Sequence, residues 1–317
     1  MPLQFADRLN NVETSAIREL FKLLGRPGII SFAGGFPDSA LFDVDGIREA
    51  VNLALELEPG AALQYGATEG YNPLREQLAA FMTAKGCTAV APENLIVTTG
   101  SQQALDLIGK TLISPGDKVI VEGPTFLATI QCFRLYGAQL ISAPVDGNGV
   151  KTDELEKLIA EHKPKFVYLI PTFGNPSGAM LSAERRKKVL EMAVRHQTLI
   201  VEDDPYGDLY FGQTDEDRPP PSLLAMSPLV PGSRDLLAHC GSLSKVLSPG
   251  LRVGWMIGPA ELLAKATMCK QFSDAHTSTF AQATAAQYLK AGRMPATLAN
   301  VRKVYGCLLY TSPSLRD

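Results

Sequence analysis

The most informative stretch of the sequence is residues 236–252, which read LLAHCGSLSKVLSPGLR. Its first part, Leu236–Cys240, is largely apolar on both faces, as expected of a strand in a sheet that helices cover on both sides. Lys245 then lies among three serine hydroxyls, and Arg252 follows seven residues later. Hydroxyl and guanidinium groups bind phosphate monoesters, and a lysine amine can form a Schiff base with an aldehyde. The stretch therefore indicates a site for a phosphorylated aldehyde; the alternative is a solvated loop lysine, as most lysines are.

Short apolar runs of the same kind recur upstream and alternate with helical patterns. Ser101–Ile113 places apolar residues on one helix face, and Ser182 is a candidate N-cap for a helix over Ser182–His196. The repeated order of strand, helix and strand predicts an α/β fold with a parallel sheet and right-handed crossovers. The predicted upstream strands are Leu95–Thr98, Lys118–Val121, Leu140–Val145, Phe166–Ile170 and Thr198–Val201. The proline-rich stretch Gly212–Gly232 is interpreted as a surface excursion between two strands.

A second candidate for phosphate binding is the turn between the strand Leu95–Thr98 and the following helix. Its sequence is TTGSQQ over residues 98–103. A glycine followed by small polar residues at a helix start leaves free N–H groups at the positive end of the helix dipole, which suits an anion. The alternative is an ordinary cap in which Ser101 satisfies the first amides of the helix.

Composition limits the classes of protein to which the chain can belong. It has 317 residues, 45% of them hydrophobic, and a net charge of −3, which excludes a mainly disordered chain and argues against a general nucleic-acid binder. Its longest apolar runs are far shorter than the roughly 18 residues of a membrane span. Five cysteines with no CxxC pair, and four histidines outside any motif, indicate neither disulfides nor a metal site. A cytoplasmic protein is therefore predicted.

The lysine stretch and five others, in the same order along the chain, resemble the fold-type I aminotransferases of classes I and II, which use pyridoxal 5′-phosphate (PLP). The resemblance extends from about residue 10 to 305 and is greatest to the 2-aminoadipate and kynurenine-type subgroup. The other five stretches are SFAGGFPD (31–38), LQYGATEGYNPLR (63–75), TTGSQQALDL (98–107), PTFGNPSG (171–178) and VEDDPYGDLYF (201–211).

The resemblance implies an aspartate-aminotransferase-like large domain with a mostly parallel central sheet, an N-terminal arm and a small domain. The expected boundaries are 1–45 for the arm and substrate loop, 46–290 for the PLP-binding large domain and 291–305 for the start of the small domain. Residues 306–317 match nothing in the family. We therefore expect a C-terminal truncation that removes most of the small domain, together with the arginine that binds the substrate α-carboxylate, and the chain as it stands could be inactive.

The resemblance also assigns a PLP pocket. Lys245 would bond the cofactor and move the substrate proton, and Asp203 would face the pyridine nitrogen; its neighbour Asp204 is the alternative. Tyr206 and Asn175 would hydrogen-bond the phenolic oxygen, and Asn175 would also reach the substrate. Phe126 would stack on the ring, and the phosphate would lie among Gly100, Ser101, Gln102, Ser242, Ser244 and Arg252.

Three further residues are assigned by the same resemblance. Tyr65 would reach the phosphate of a neighbouring subunit, which implies a homodimer with shared sites. Gly35 lies in a loop that would close over the substrate, and Arg18 would meet a distal carboxylate of the substrate. Without the resemblance, Arg18 would be read as a solvated helix arginine.

The function implied is transfer of an amino group from an L-amino acid to a 2-oxo acid such as 2-oxoglutarate. Candidate donors are 2-aminoadipate and aromatic or branched-chain amino acids. One alternative is another PLP enzyme of this fold, a β-lyase or decarboxylase, whose products would differ. The other is the effector-sensing half of a transcription regulator, for which the short stretch before Arg26 is expected to leave no room for a DNA-binding domain.

Overall fold

A computed structural model describes residues 3–9, 35–88, 90–211 and 218–311. Eight strands form one sheet: β1 (Leu95–Thr98), β2 (Lys118–Gly123), β3 (Gln139–Asp146), β4 (Gly149–Val150), β5 (Phe166–Leu169), β6 (Leu199–Asp204), β7 (Leu237–Ser242) and β8 (Gly254–Ile257). The helices are α1 (Val44–Leu57), α2 (Pro59–Leu63), α3 (Asn72–Ala84), α4 (Ser101–Leu112), α5 (Leu127–Leu135), α6 (Thr152–His162), α7 (Ala183–His196), α8 (Leu223–Met226), α9 (Ala260–Gln271), α10 (Thr279–Lys290) and α11 (Met294–Thr311).

The strand order across the sheet is β1-β8-β7-β6-β5-β2-β3-β4. The five central strands from β7 to β3 run parallel, so the prediction of a mostly parallel sheet is confirmed. The six predicted strands and both predicted helices are present; the largest shift is in β6, which ends at Asp204 instead of Val201. The Ser182 side chain accepts a hydrogen bond from the Arg185 amide, which confirms the predicted N-cap of α7.

The sequence pattern missed β8, which lies between β1 and β7 and is antiparallel to both. Its sequence, GWMI, begins with a glycine, which is unfavourable in a strand, and it comes two residues after Arg252, so it did not stand out as a separate apolar run. Its first residue must be small: a Cβ on Gly254 would lie 2.6 Å from the Gly100 carbonyl carbon and 2.8 Å from the Ser101 nitrogen. The strand therefore packs directly against the turn that precedes α4.

Helices cover both faces of the sheet and form two apolar cores. One core includes Leu78, Val189 and Trp255, and the other includes Leu105 and Phe133. This arrangement explains why the parallel strands are apolar on both faces.

The interpretation of residues 212–232 as a surface excursion is wrong for its second half; residues 212–217 lie outside the described part. The short helix α8 is buried, with Leu223 and Leu224 almost inaccessible to solvent. Their amides donate hydrogen bonds to the buried carboxylate of Glu202, over 2.6 and 3.1 Å. The burial of two consecutive leucines removes apolar surface from water, and this favourable free energy holds the segment in the interior despite the prolines around it.

Candidate functional site

The predicted site residues converge where the parallel strands end, the edge at which open α/β sheets bind ligands. Asp203 is at the end of β6, and Tyr206 follows in the next loop. Asn175 is in the loop after β5, and Lys245 is in the loop after β7. Three adjacent strands therefore bring together the groups that the sequence spreads over 70 residues.

Within the described part of the chain, one carboxylate oxygen of Asp203 accepts a hydrogen bond and the other has no partner. The Tyr168 hydroxyl donates a hydrogen bond of 2.7 Å to Oδ2, and Thr129 Oγ1 donates one of 3.2 Å to the Tyr168 hydroxyl. Oδ1 is buried and has no hydrogen-bond partner among the residues that the structure describes. Burial raises the pKa of Asp203 to about 6, against the opposing effect of the Tyr168 hydrogen bond. Because an unpaired buried acceptor is costly, Oδ1 is suited to a donor supplied by a ligand, such as a protonated pyridine nitrogen.

The neighbouring Asp204 is fully partnered within the protein. It accepts a hydrogen bond of 3.0 Å from the Gly207 amide, and its Oδ2 is 3.6 Å from Lys85 Nζ. Burial is the largest single effect and acts to raise the pKa of Asp204, but Lys85, two further cationic side chains and the Gly207 hydrogen bond together outweigh it, and the pKa is lowered. Successive residues of a strand point to opposite faces, so only one of the two aspartates can face the site. The free oxygen belongs to Asp203.

Lys245 is half-buried and close to Tyr206. Its Nζ donates a hydrogen bond of 3.1 Å to the Gly35 carbonyl and lies 6.0 Å from the centre of the Tyr206 ring. Burial lowers the pKa of Lys245, which increases the fraction of neutral, nucleophilic amine. The Tyr206 hydroxyl accepts a hydrogen bond of 3.4 Å from Asn175 Nδ2, and burial raises the pKa of Tyr206.

An anion-binding turn is assembled at the start of α4. Gly100, and not Ser101, takes the N-cap position, with φ of +76°, and none of the described side chains caps the helix, so the alternative of a Ser101 cap is wrong. Arg252 Nη1 donates to Ser244 Oγ over 3.3 Å, and Nη2 donates to the Thr99 carbonyl over 3.3 Å. A Cβ on Gly100 would lie 2.4 Å from Arg252 Nη2. Ser242 Oγ, 2.9 Å from Ser244 Oγ, completes a cluster of hydroxyls, guanidinium and uncapped amides that fits a phosphate.

The remaining predicted residues have less defined surroundings. Phe126 is half-buried before α5 and packs against the apolar core on the Asp203 side of the sheet. Tyr65 is 85% exposed and meets the His276 ring edge-on, with 5.8 Å between ring centres. Gly35 is exposed, and no heavy atom of the described residues lies within 4 Å of a Cβ built on it. Arg18 lies outside the described residues.

Tyr168 was missed by sequence reasoning. Its signal was present, since a tyrosine in the otherwise apolar strand FVYL must find a partner for its hydroxyl when buried. The sequence could not say which partner, because Asp203 is 35 residues away.

None of the helices that the structure describes is both long and apolar enough to cross a bilayer. Within the same residues, no three His, Cys, Asp or Glu side chains are arranged to hold a metal ion.

Comparisons with known proteins extend over nearly the whole chain. Residues 28–303 match the family described as aminotransferase class I and II. The 2-aminoadipate transaminase of Thermus thermophilus is 41% identical over 303 residues, which cover 95% of this chain and 72% of that protein. The aromatic-amino-acid aminotransferase 1 of Thermococcus litoralis is 37% identical over 308 residues, covering 95% of this chain and 71% of that protein. A solved structure of Thermus thermophilus alpha-aminoadipate aminotransferase, complexed with N-(5′-phosphopyridoxyl)-L-leucine, is 39% identical, with a TM-score of 0.86 over 95% of this chain and 73% of its own.

Proposed function

The chain belongs to the class I and II aminotransferases, and from that premise we propose which substrates it takes and which residues carry the reaction. It is a PLP-dependent enzyme that moves an amino group between an amino acid and a 2-oxo acid. The proposed donors are 2-aminoadipate, aromatic and branched-chain amino acids, and the proposed acceptor is 2-oxoglutarate. The names of the two relatives support the first two donor classes, and the leucine adduct of the Thermus structure supports the third.

The single observation that carries the assignment of the cofactor pocket is the unpartnered, buried Oδ1 of Asp203. When bound, PLP supplies an aldehyde that can bond an amine and a pyridinium ring that withdraws electrons. We propose that Asp203 accepts the ring N–H at Oδ1 and so keeps the nitrogen protonated. Tyr168 holds Asp203 in place through Oδ2 and favours its ionised form.

Lys245 is proposed as the residue that bonds the cofactor and then transfers the substrate proton. Its lowered pKa suits both tasks, because a neutral amine is needed to attack the aldehyde and to accept the proton at the substrate Cα. Tyr206 and Asn175 already contact each other and would hold the phenolic oxygen. Phe126 would pack on the ring, and Asn175 would also contact the substrate.

The phosphate is proposed to bind at the turn before α4. The uncapped amides of Ser101 and Gln102 lie next to Gly100, whose missing side chain makes room for the Arg252 guanidinium. Ser242, Ser244 and Arg252 complete the anion site. Arg252 carries a fixed charge and several donors, so it would hold a phosphate dianion in one orientation.

We further propose a homodimer in which Tyr65 contributes to the partner's phosphate site, with Gly35 and Arg18 at the substrate. A group of large apolar side chains exposed near Tyr65 supports an interface there. They are Leu63 and Phe280. The residues around Tyr65 also line an open groove together with Ser278 and Thr279.

The test combines labelling with product analysis. The purified chain is loaded with PLP and treated with borohydride, and the cofactor is expected on the peptide containing Lys245; a label on another lysine would contradict the assignment. The same chain is then supplied with 2-aminoadipate, kynurenine or leucine and with 2-oxoglutarate, and any product formed should be the matching 2-oxo acid and glutamate. Release of ammonia or carbon dioxide in place of glutamate would instead identify a β-lyase or a decarboxylase.

A further inference from the structure

A buried lysine outside the proposed pocket lies behind the phosphate turn. Lys270, near the end of α9, has no solvent-accessible side-chain surface. Its Nζ donates to Gln103 Oε1 over 2.8 Å, to Asp274 Oδ1 over 2.8 Å and to Thr277 Oγ1 over 3.0 Å. Lysine is almost never fully buried unless it is paired, so a cluster that occupies all three of its protons has a structural purpose.

The Lys270 cluster reaches the phosphate turn through Gln103. Gln103 Oε1, which accepts from Lys270, also accepts a hydrogen bond of 2.8 Å from the Thr99 amide. Gln103 Nε2 donates to Asp274 Oδ2 over 2.6 Å, and the Thr99 hydroxyl donates to the same oxygen over 3.1 Å. The Thr99 peptide is thus fixed on its amide side by the cluster, while its carbonyl accepts from Arg252.

We propose that Lys270 is a positioning residue for the cofactor phosphate. It acts without touching the ligand: through Gln103 it holds Thr99, and Thr99 in turn fixes both the start of α4 and the Arg252 guanidinium. The inference rests on the phosphate site of the proposed function. Asp274 neutralises the ammonium charge locally, so Lys270 contributes geometry and not attraction for the anion.

The rival explanation is that the cluster only fastens α9 to α4. The two explanations differ in one measurable respect. A general loosening of the helix pair would weaken all cofactor binding, whereas a displaced phosphate turn would weaken only ligands that carry a phosphate. PLP and pyridoxal have the same ring and aldehyde and differ in that group alone.

The experiment measures the dissociation constants of PLP and pyridoxal for the unmodified chain and for Lys270→Met. Methionine preserves most of the side-chain volume but removes the hydrogen bonds that Lys270 donates to its three partners. The expected result is a loss of PLP affinity of about tenfold or more, with pyridoxal affinity changed by less than about twofold. Lys110→Met is the matched control, because Lys110 also joins α4 to the segment after α9, through Ser273 Oγ at 2.7 Å, and lies outside the cluster.

Equal losses for the two ligands, or no loss of PLP affinity, would overturn the proposal. If Lys270→Met does not fold, the affinities for PLP and pyridoxal are compared in Asp274→Asn instead. The Asp274 side chain is 30% exposed and tolerates change more readily. Failure of the unmodified chain to bind PLP at Lys245 would overturn the proposed function and this inference together. Normal labelling of Lys245, with the ratio of PLP affinity to pyridoxal affinity unchanged in the variants, would overturn this inference alone.

Discussion

The raised pKa of Asp203 predicts that the ligand-free protein becomes less stable as this carboxyl ionises. The folded-state pKa is about 6, compared with an ordinary 3.8. A carboxyl with a raised pKa contributes stability that is complete below its unfolded pKa and lost as the pH rises through its folded pKa. This stability is therefore lost between about pH 4 and 6, and the free energy of unfolding falls by an amount of the order of 3 kcal/mol.

Asp203→Asn removes this titration, because an amide stays neutral. Relative to the unmodified protein, the variant should gain stability between about pH 4 and 6 and keep that gain at higher pH. Asp204→Asn is the matched control at the adjacent residue, where the pKa is lowered. In the unmodified protein, the Asp204 carboxylate stabilises the fold above its unfolded pKa, and this contribution is lost as the pH falls through its folded pKa. Asp204→Asn removes the contribution, so this control should be less stable than the unmodified protein at pH 6–8.

The assay is urea unfolding of the PLP-free proteins at several pH values between 4.5 and 8, repeated with saturating PLP. Without PLP, the difference in urea midpoint between Asp203→Asn and the unmodified protein should widen up to about pH 6. With PLP, the unmodified protein should gain more than Asp203→Asn, because only its carboxylate can accept from a protonated ring nitrogen. A midpoint difference that does not change with pH would refute the assignment of a raised pKa to Asp203.

Three further predictions concern single side chains of the proposed site. Tyr168→Phe should lower kcat by about tenfold or more while PLP stays bound, because it removes the 2.7 Å hydrogen bond to Asp203; an unchanged kcat and an unchanged pH profile of the bound-PLP absorbance would contradict this. Arg252→Met should weaken PLP at least tenfold in equilibrium titrations and leave pyridoxal nearly unchanged, and parallel losses would exclude a phosphate role. Arg18→Ala should cost about 2–3 kcal/mol in kcat/KM for 2-aminoadipate and little for leucine; equal losses would make Arg18 structural.

The sequence was sufficient for the parallel strands and for the position of Lys245. Apolar runs that helices cover on both faces leave a strong local pattern, and a lysine among hydroxyls after such a run is a rare combination. The pattern could not choose between Asp203 and Asp204, since both lie at the end of β6. That choice depends on Tyr168 and Lys85, which reach the two carboxylates from distant parts of the chain.

Other features had no local signal at all. The antiparallel β8 begins with a glycine and follows closely on the Lys245 stretch, and α8 is buried although prolines surround it. Lys270 resembles any lysine of an amphipathic helix until its three acceptors are brought around it by folding. Long-range contacts decide these positions, so sequence periodicity cannot predict them.

The contact between His276 and Tyr65 has a thermodynamic consequence. His276 meets the exposed Tyr65 ring, while the next residue, Thr277, accepts a hydrogen bond from Lys270 behind the phosphate turn. One peptide bond therefore joins His276, which contacts the exposed Tyr65, to Thr277, which belongs to the internal Lys270 cluster. Linked equilibria are reciprocal: whatever factor a subunit covering Tyr65 applies to phosphate affinity, bound phosphate applies to the association of subunits. In the proposed homodimer, cofactor binding and subunit association would therefore share one coupling free energy, and the PLP concentration would shift the protein concentration at which subunits associate.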